Sequence, residues 1–142
     1  MKLVVLSRRK AEEFTSDIPW ACISIRDPED DSLPKINRCQ LVDCLYLNFH
    51  DSIIADSDIK LFNENHADQI LDFVLRVWDK IDRLVIHCYA GVARSPAVAA
   101  IISKLYYGSD EVYFQEPYKP NKHVYDTLYR VANARPDLPP LW

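Results

Sequence analysis

At 142 residues the chain is long enough to bury one substantial core without a disulfide or metal staple, so a single domain over residues 1–142 is expected. Its composition, 49% hydrophobic and 27% charged, is that of an ordinary globular chain, and the longest apolar run, Pro96 to Ile102, is too short to cross a bilayer. A net charge of −4 argues against a general nucleic-acid binder, so neither nucleic acid nor membrane is an expected partner.

The opening Met1 to Leu6 has too few apolar residues before Ser7-Arg8-Arg9-Lys10 to act as a secretory leader, which points to a cytoplasmic address. On that reading Cys22, Cys39, Cys44 and Cys88 are reduced thiols. With no CxxC pair and no Cys/His cluster, neither a metal nor another cofactor is expected.

Leu3 to Leu6, β-branched and aliphatic, reads as a buried strand. Arg8-Arg9-Lys10 is followed at once by Glu12 and Glu13 and reads as a mixed-charge surface. Trp20 to Ile25 is a second strand, ending in the loop Arg26-Asp27-Pro28-Glu29-Asp30-Asp31. Gln40 to Phe49 is a third, with Leu45, Leu47 and Phe49 on one face, and it ends at His50-Asp51. Next, Ala67, Ile70, Leu71, Val74, Val77 and Trp78 recur at spacings of three and four, which predicts a helix with Asn63 as its N-cap. Arg83 to Ile86 is a short apolar strand. Ala97 to Tyr106 has the composition of a core helix ending near Gly108. Lys122 to Asn133 is a last helix, capped by Asn121 after Pro120 and apolar at Val124, Leu128 and Val131, before the Pro-rich tail 136–142. Strands alternating with helices predict an α/β fold with a central, mostly parallel sheet flanked by helices on both faces. In such sheets ligands bind beyond the carboxyl ends of the strands, and the loop 88–94 lies at such a place.

A bare Cys-x5-Arg pair is expected by chance in about one chain in four of this composition. Its surroundings make Cys88-Tyr89-Ala90-Gly91-Val92-Ala93-Arg94 informative. The cysteine follows a buried strand, the arginine closes the loop, Ser95-Pro96 opens a core helix, and one of the chain's 2 glycines is Gly91. A loop of this length at a helix N-terminus turns backbone N–H groups toward one centre, an anion cradle suited to phosphate oxygens. Gly91 permits close backbone approach. The same dipoles, with Arg94, favour the thiolate of Cys88, its nucleophilic form. Arg94 adds a planar fork to two phosphate oxygens, expected through both terminal guanidinium nitrogens.

His87-Cys88-x5-Arg94-Ser95 resembles the signature of the protein tyrosine phosphatase superfamily, and the small size is similar to its dual-specificity branch and small bacterial relatives. Leu47-Asn48-Phe49-His50-Asp51, a helix, then Leu84-Val85-Ile86-His87-Cys88 follows that branch's order of acid loop, helix and phosphate loop, so the resemblance covers residues 40 to 131. It implies a phosphatase-like catalytic domain with the phosphate loop between a strand and a core helix. It implies that Cys88 forms a cysteinyl phosphate and that Tyr89, Ala90, Gly91, Val92, Ala93 and Arg94 bind the phosphate. Ser95 would assist the thiolate and its release, Asp51 would be the general acid, and His87 would support the thiolate from behind. The implied substrate is phosphotyrosine in a protein or peptide, with phosphoserine and phosphothreonine left open because pocket depth is not encoded locally. The chain departs from the pattern at Ala93, where many dual-specificity enzymes have Ser. Its acid loop also holds Asp56, the alternative acid, and Asp58, which reads as a helix-start residue.

Two other functions compete. One is a phosphate-recognising pseudophosphatase, which would lack an acid near the loop; the other is a rhodanese-like sulfurtransferase or arsenate reductase, whose loops also pair a cysteine with an arginine. Ser95, the upstream Asp51 and the mid-chain loop favour the phosphatase. Uncharged Tyr89, Ala90, Val92 and Ala93 argue against a polyphosphorylated lipid. His50 and His66 read as packed or surface histidines, and Tyr106, Tyr107, Tyr113, Tyr118 and Trp142 as core or rim aromatics. Cys39 and Cys44 read as core residues, with a disulfide to Cys88 left open. The oligomeric state is not legible.

Overall fold

A strand buried on both faces needs neighbours on both edges and cover above and below. Such a strand is β2 (Trp20–Arg26), every residue of which is buried except the last. In the computed structural model, which describes residues 1–141, it is joined by β1 (Lys2–Ser7), β3 (Leu41–Asn48) and β4 (Arg83–Cys88) in a four-stranded sheet of order β1-β4-β2-β3. All three pairings are parallel, with Ser7 opposite Cys88, Ser24 opposite His87 and Arg26 opposite Asn48. The α/β class and parallel sheet read from the sequence are those observed.

The helices divide unequally between the faces. On one side α2 (Glu64–Val77), α3 (Arg94–Tyr107) and α4 (Lys122–Asn133) cover the main core, to which the sheet contributes Ile23, Ile25, Leu84, Ile86 and Cys88. The alternate residues Cys22 and Val85 pack with Trp20, Val4, Leu6, Phe14 and Ile36 on the other side. That face is covered by a helix the sequence reading missed, α1 (Arg8–Glu13). The Arg8-Arg9-Lys10 run is its first half, capped by the Ser7 hydroxyl, which accepts from Lys10 N–H at 3.2 Å. Only Ala11 is buried, so the segment carries no apolar period to detect.

Elsewhere the boundaries shift by a residue or two. Gln40 adopts a left-handed backbone (φ 62) and stands outside β3. Phe49 lies past the ladder but is wholly buried against Phe62 and His66. Trp78 leaves α2 for a 3₁₀ turn (Trp78–Lys80) and stacks on Tyr106 with ring centroids 4.0 Å apart. A second 3₁₀ turn spans Glu111–Phe114. Gly108 ends α3 in the left-handed conformation (φ 79), the C-terminal role expected of it. Asn63 caps α2 reciprocally: its side chain accepts from His66 N–H and its own N–H donates to His66 Nδ1, each at 3.0 Å. Histidine thus fills the place usually taken by Glu or Gln, and burial pushes its pKa down, in keeping with a neutral acceptor. Tyr113 belongs to the core, while Tyr106 and Tyr118 pack at its margin and Tyr107 is exposed. Trp142 lies outside the described residues.

The register settles the cysteines. Cys44 faces Cys22, which faces Val85, so Cys88 lies two strands across and three residues further along. At the usual sheet spacings Cys44 and Cys88 are about 14 Å apart, beyond disulfide reach. Exposed Cys39 precedes β3 at the opposite end of the sheet.

Because all four strands run the same way, Ser7, Arg26, Asn48 and Cys88 come together at one end of the sheet. The loops leaving those residues build the site. Asn63→Ala removes one arm of the α2 cap and should lower unfolding free energy by about 1 kcal/mol, read as a lower urea midpoint at unchanged slope. Asn63→Asp should recover most of it.

Candidate active site

Cys88 is the last residue of β4, 2% exposed, and its side chain points to the main core face. The chain then turns through Tyr89 to Ala93 into α3, whose N-cap residue Ala93 has no side chain to meet the first-turn N–H groups. Pro96, inside the first turn, sacrifices no helical bond. Gly91 has φ +74, and a Cβ there would lie 2.8 Å from backbone atoms of Leu6 and Ser7. The loop therefore presses on the β1–α1 turn at a place only glycine fits, and Arg8 N–H fastens the same junction by donating to Tyr89 O at 3.0 Å. Tyr89 itself is 70% exposed at the rim.

Two hydrogen bonds converge on the sulfur. Gly91 N–H donates to Cys88 Sγ at 3.3 Å, and Ser95 Oγ lies 3.1 Å from it; with sulfur as thiolate the hydroxyl is the donor. His87, next along the strand, points to the opposite face. Its Nδ1 lies 3.3 Å from Cys88 O and its Nε2 lies 2.7 Å from Ser24 Oγ. A carbonyl only accepts, so Nδ1 carries the proton and Nε2 accepts from the serine. Burial pushes the His87 pKa down, which favours the neutral ring that this bonding pattern requires. Its support reaches the Cys88 backbone, not the sulfur.

Arg94 is 5% exposed. Its Nη1 donates to Asp27 Oδ1 at 2.7 Å and to Phe49 O at 2.8 Å. This corrects the expected use of both terminal nitrogens: Nη1 is occupied, and the free edge is formed by Nε and Nη2, neither with a partner among the described residues. That edge still offers a planar fork. Asp27, the first residue past β2, was missed from the sequence, where it is one of several carboxylates in its loop.

Asp51 enters from the loop after β3. Its Oδ1 accepts from Asn121 Nδ2 at 2.8 Å, and the same amide donates to Ser52 O at 3.2 Å. Asn121 also caps α4, accepting from Val124 N–H at 3.0 Å, and its own N–H donates to Ala93 O at 3.0 Å. The cap predicted from sequence thus ties the acid loop to the phosphate loop. His50 closes the base of the acid loop: its N–H donates to Lys60 O at 2.7 Å, its Nδ1 accepts from Lys60 N–H at 2.8 Å, and its Nε2 bonds Glu29.

An open cavity of about 680 Å³ lies here, and its lining includes Cys88, Arg94, Asp27, His50, Asp51 and Ile59. Asp51 and the phosphate loop are brought to one place. Asp56 and Asp58 are exposed and do not line the cavity.

No protein-family model matches the chain, and no curated protein sequence matches it. Solved structures do. Human DUSP28 superposes with a TM-score of 0.66 at 17% identity, over 93% of this chain and 92% of that one. Tk-PTP in its active form gives 0.59 at 16% identity, over 93% and 90%. Human tyrosine phosphatase-like serine/threonine/tyrosine-interacting protein gives 0.59 at 20% identity, over 79% and 75%.

Gly91→Ala forces a side chain onto the β1–α1 backbone in a left-handed conformation. It should cost about 1–3 kcal/mol in a denaturant titration and abolish binding of inorganic phosphate. Asp27→Asn keeps an acceptor but removes the charge beside Arg94. It should lower kcat/KM on aryl phosphates roughly ten- to hundredfold, the value of one charge-assisted hydrogen bond, and lower the melting temperature by several degrees, because Arg94 loses its only carboxylate partner among the described residues.

Proposed function

We propose that this chain, which has the fold of the protein tyrosine phosphatase superfamily and its dual-specificity branch, is a phosphatase that hydrolyses phosphate monoesters through Cys88. The observation that carries this reading is the convergence of the Gly91 N–H and the Ser95 hydroxyl on the Cys88 sulfur, with Cys88, Arg94 and Asp51 lining one cavity. Both contacts place a hydrogen-bond donor on the atom that would attack phosphorus. The helix N-terminus and the free Arg94 edge then suit three phosphate oxygens.

In the first step the thiolate attacks phosphorus and the bond from phosphorus to the ester oxygen breaks. Asp51 delivers a proton to that departing oxygen. Asn121 engages Oδ1 and leaves Oδ2 for the proton. In the second step Asp51, now a carboxylate, takes a proton from water as the water oxygen attacks the cysteinyl phosphate. The sulfur–phosphorus bond breaks, Ser95 donates to the returning thiolate, and phosphate leaves. The phosphate loop residues hold the transferring group by backbone N–H, and the Arg94 fork follows its equatorial oxygens into the transition state.

Phosphotyrosine in a protein or peptide is the substrate we propose. Tyr89, Ile59 and His50 around the opening give an aryl ring apolar and aromatic walls. The pseudophosphatase alternative called for no carboxylate near the loop, and Asp51 lines the cavity.

Cys88→Ser should abolish turnover while retaining phosphopeptide binding, and substantial residual turnover would eliminate the covalent route. Arg94→Lys should fail too, since an ammonium cannot reproduce the fork. Asp51→Asn should lose about 10²- to 10⁴-fold on phosphotyrosine but far less on an aryl phosphate whose phenol leaves without protonation. Asp56→Asn and Asp58→Asn should show no such leaving-group dependence. If Asp56→Asn alone shows it, the acid is Asp56.

A further inference from the structure

A second groove, of about 510 Å³, opens beside the catalytic cavity and shares Asp51, Ser52 and Ala93 with it. Its lining includes Pro120, the buried Asn121, Lys119 and Lys122. It also includes Ile53 and Ile54, 62% and 71% exposed. Single exposed isoleucines are unremarkable, but two adjacent ones on the loop that carries Asp51, in one shallow groove with two lysines and next to the catalytic cavity, make an amphipathic surface.

The two lysines are not equivalent. Lys122 Nζ is engaged by Asp126 at 2.7 Å, one helical turn along α4. Lys119 has no ion-pair partner among the described residues. Its backbone is fixed all the same, because its N–H donates to Val92 O of the phosphate loop at 2.8 Å. An exposed ammonium is therefore mounted on a stem whose base is registered to the reacting centre. In the part of the catalytic cavity that the groove does not share the acidic residues are Asp27 and Glu29, and Asp51 lies where the two meet. An anionic group flanking the scissile phosphate is attracted on the Lys119 side and repelled on the other.

We infer that this groove is a substrate subsite, resting on the phosphatase reading above, and that it takes an acidic side chain of the phosphorylated substrate chain. The carboxylate meets Lys119, and its aliphatic stem lies along Ile53 and Ile54. The preference it confers is one-sided, set by the lysines of the groove and the Asp27 and Glu29 carboxylates of the cavity beyond it. It acts on substrate binding and leaves the chemical step untouched.

Three phosphotyrosine peptides test this, one with neutral flanks, one with two glutamates before the phosphotyrosine and one with two after. Turnover is measured for wild type, Lys119→Ala and Lys119→Glu, with p-nitrophenyl phosphate, which has no flanks, reporting on the catalytic cavity separately. Binding of the same peptides to Cys88→Ser is titrated in the presence and absence of Lys119→Glu. Wild type should favour one of the two acidic peptides over the neutral one by about two- to fivefold in KM, the range of an exposed ion pair. Lys119→Ala should abolish that preference and Lys119→Glu should invert it. The preference should also fade at about 0.5 M salt, where the screening length is a few ångströms. Equal use of all three peptides by wild type, or a preference that survives in Lys119→Glu, overturns the subsite. Failure to turn over p-nitrophenyl phosphate would instead strike the phosphatase reading, and the Cys88→Ser titrations would still decide the subsite.

Discussion

A guanidinium removed from water must find acceptors for its N–H groups or pay heavily for their loss. Arg94, 5% exposed, finds two for one nitrogen: the Asp27 carboxylate, first past β2, and the Phe49 carbonyl, first past β3. Since Arg94 itself begins the helix that follows β4, one side chain ties together the ends of three parallel strands. The tie also sets direction. With Nη1 turned into the protein, Nε and Nη2 remain as the edge available to a ligand, and the Phe49 carbonyl holds the start of the acid loop at a fixed place relative to the phosphate loop.

Asn121 repeats this arrangement from the other side. Its backbone N–H bonds the phosphate loop, its amide nitrogen bonds the acid loop, and its amide oxygen caps α4. Cys88, Arg94 and Asp51, to which the proposed mechanism gives the roles of nucleophile, phosphate fork and acid, are thus held in fixed relative positions by contacts within the chain itself. Such preorganisation is worth most in transferring a phosphoryl group, where positioning and charge stabilisation do nearly all the work. Gly91 completes the set. Without a Cβ it lets the loop close against β1 and brings a backbone N–H onto the sulfur.

What was legible in the sequence was local. The strand, loop and helix carrying Cys88 to Ser95 are contiguous, so chain order alone places cysteine, glycine, arginine and serine around one centre. The caps at Asn63 and Asn121 and the glycine ending α3 were readable for the same reason, since each acts within a few residues of itself. The partners were not readable. Asp27 lies 67 residues from Arg94, in a loop with Glu29, Asp30 and Asp31, and only the adjacency of β2 to β4 selects it. The second duty of Asn121 reaches Asp51 across 70 residues and leaves no periodic trace. α1 was hidden by its charge: one buried alanine in a basic run gives no amphipathic signal, yet that helix covers a face of the sheet.

The proposed covalent intermediate is the step on which the mechanism rests, and trapping it is the most direct test. The protein is mixed with a phosphotyrosine peptide, quenched in acid within the first turnover, digested, and the peptide containing Cys88 is weighed. The expected result is that peptide carrying the mass of one phosphoryl group, lost on incubation at neutral pH before quenching, with Cys22, Cys39 and Cys44 unmodified. Steady turnover of the same substrate with no phosphoryl group on Cys88 at any quench time would contradict the mechanism.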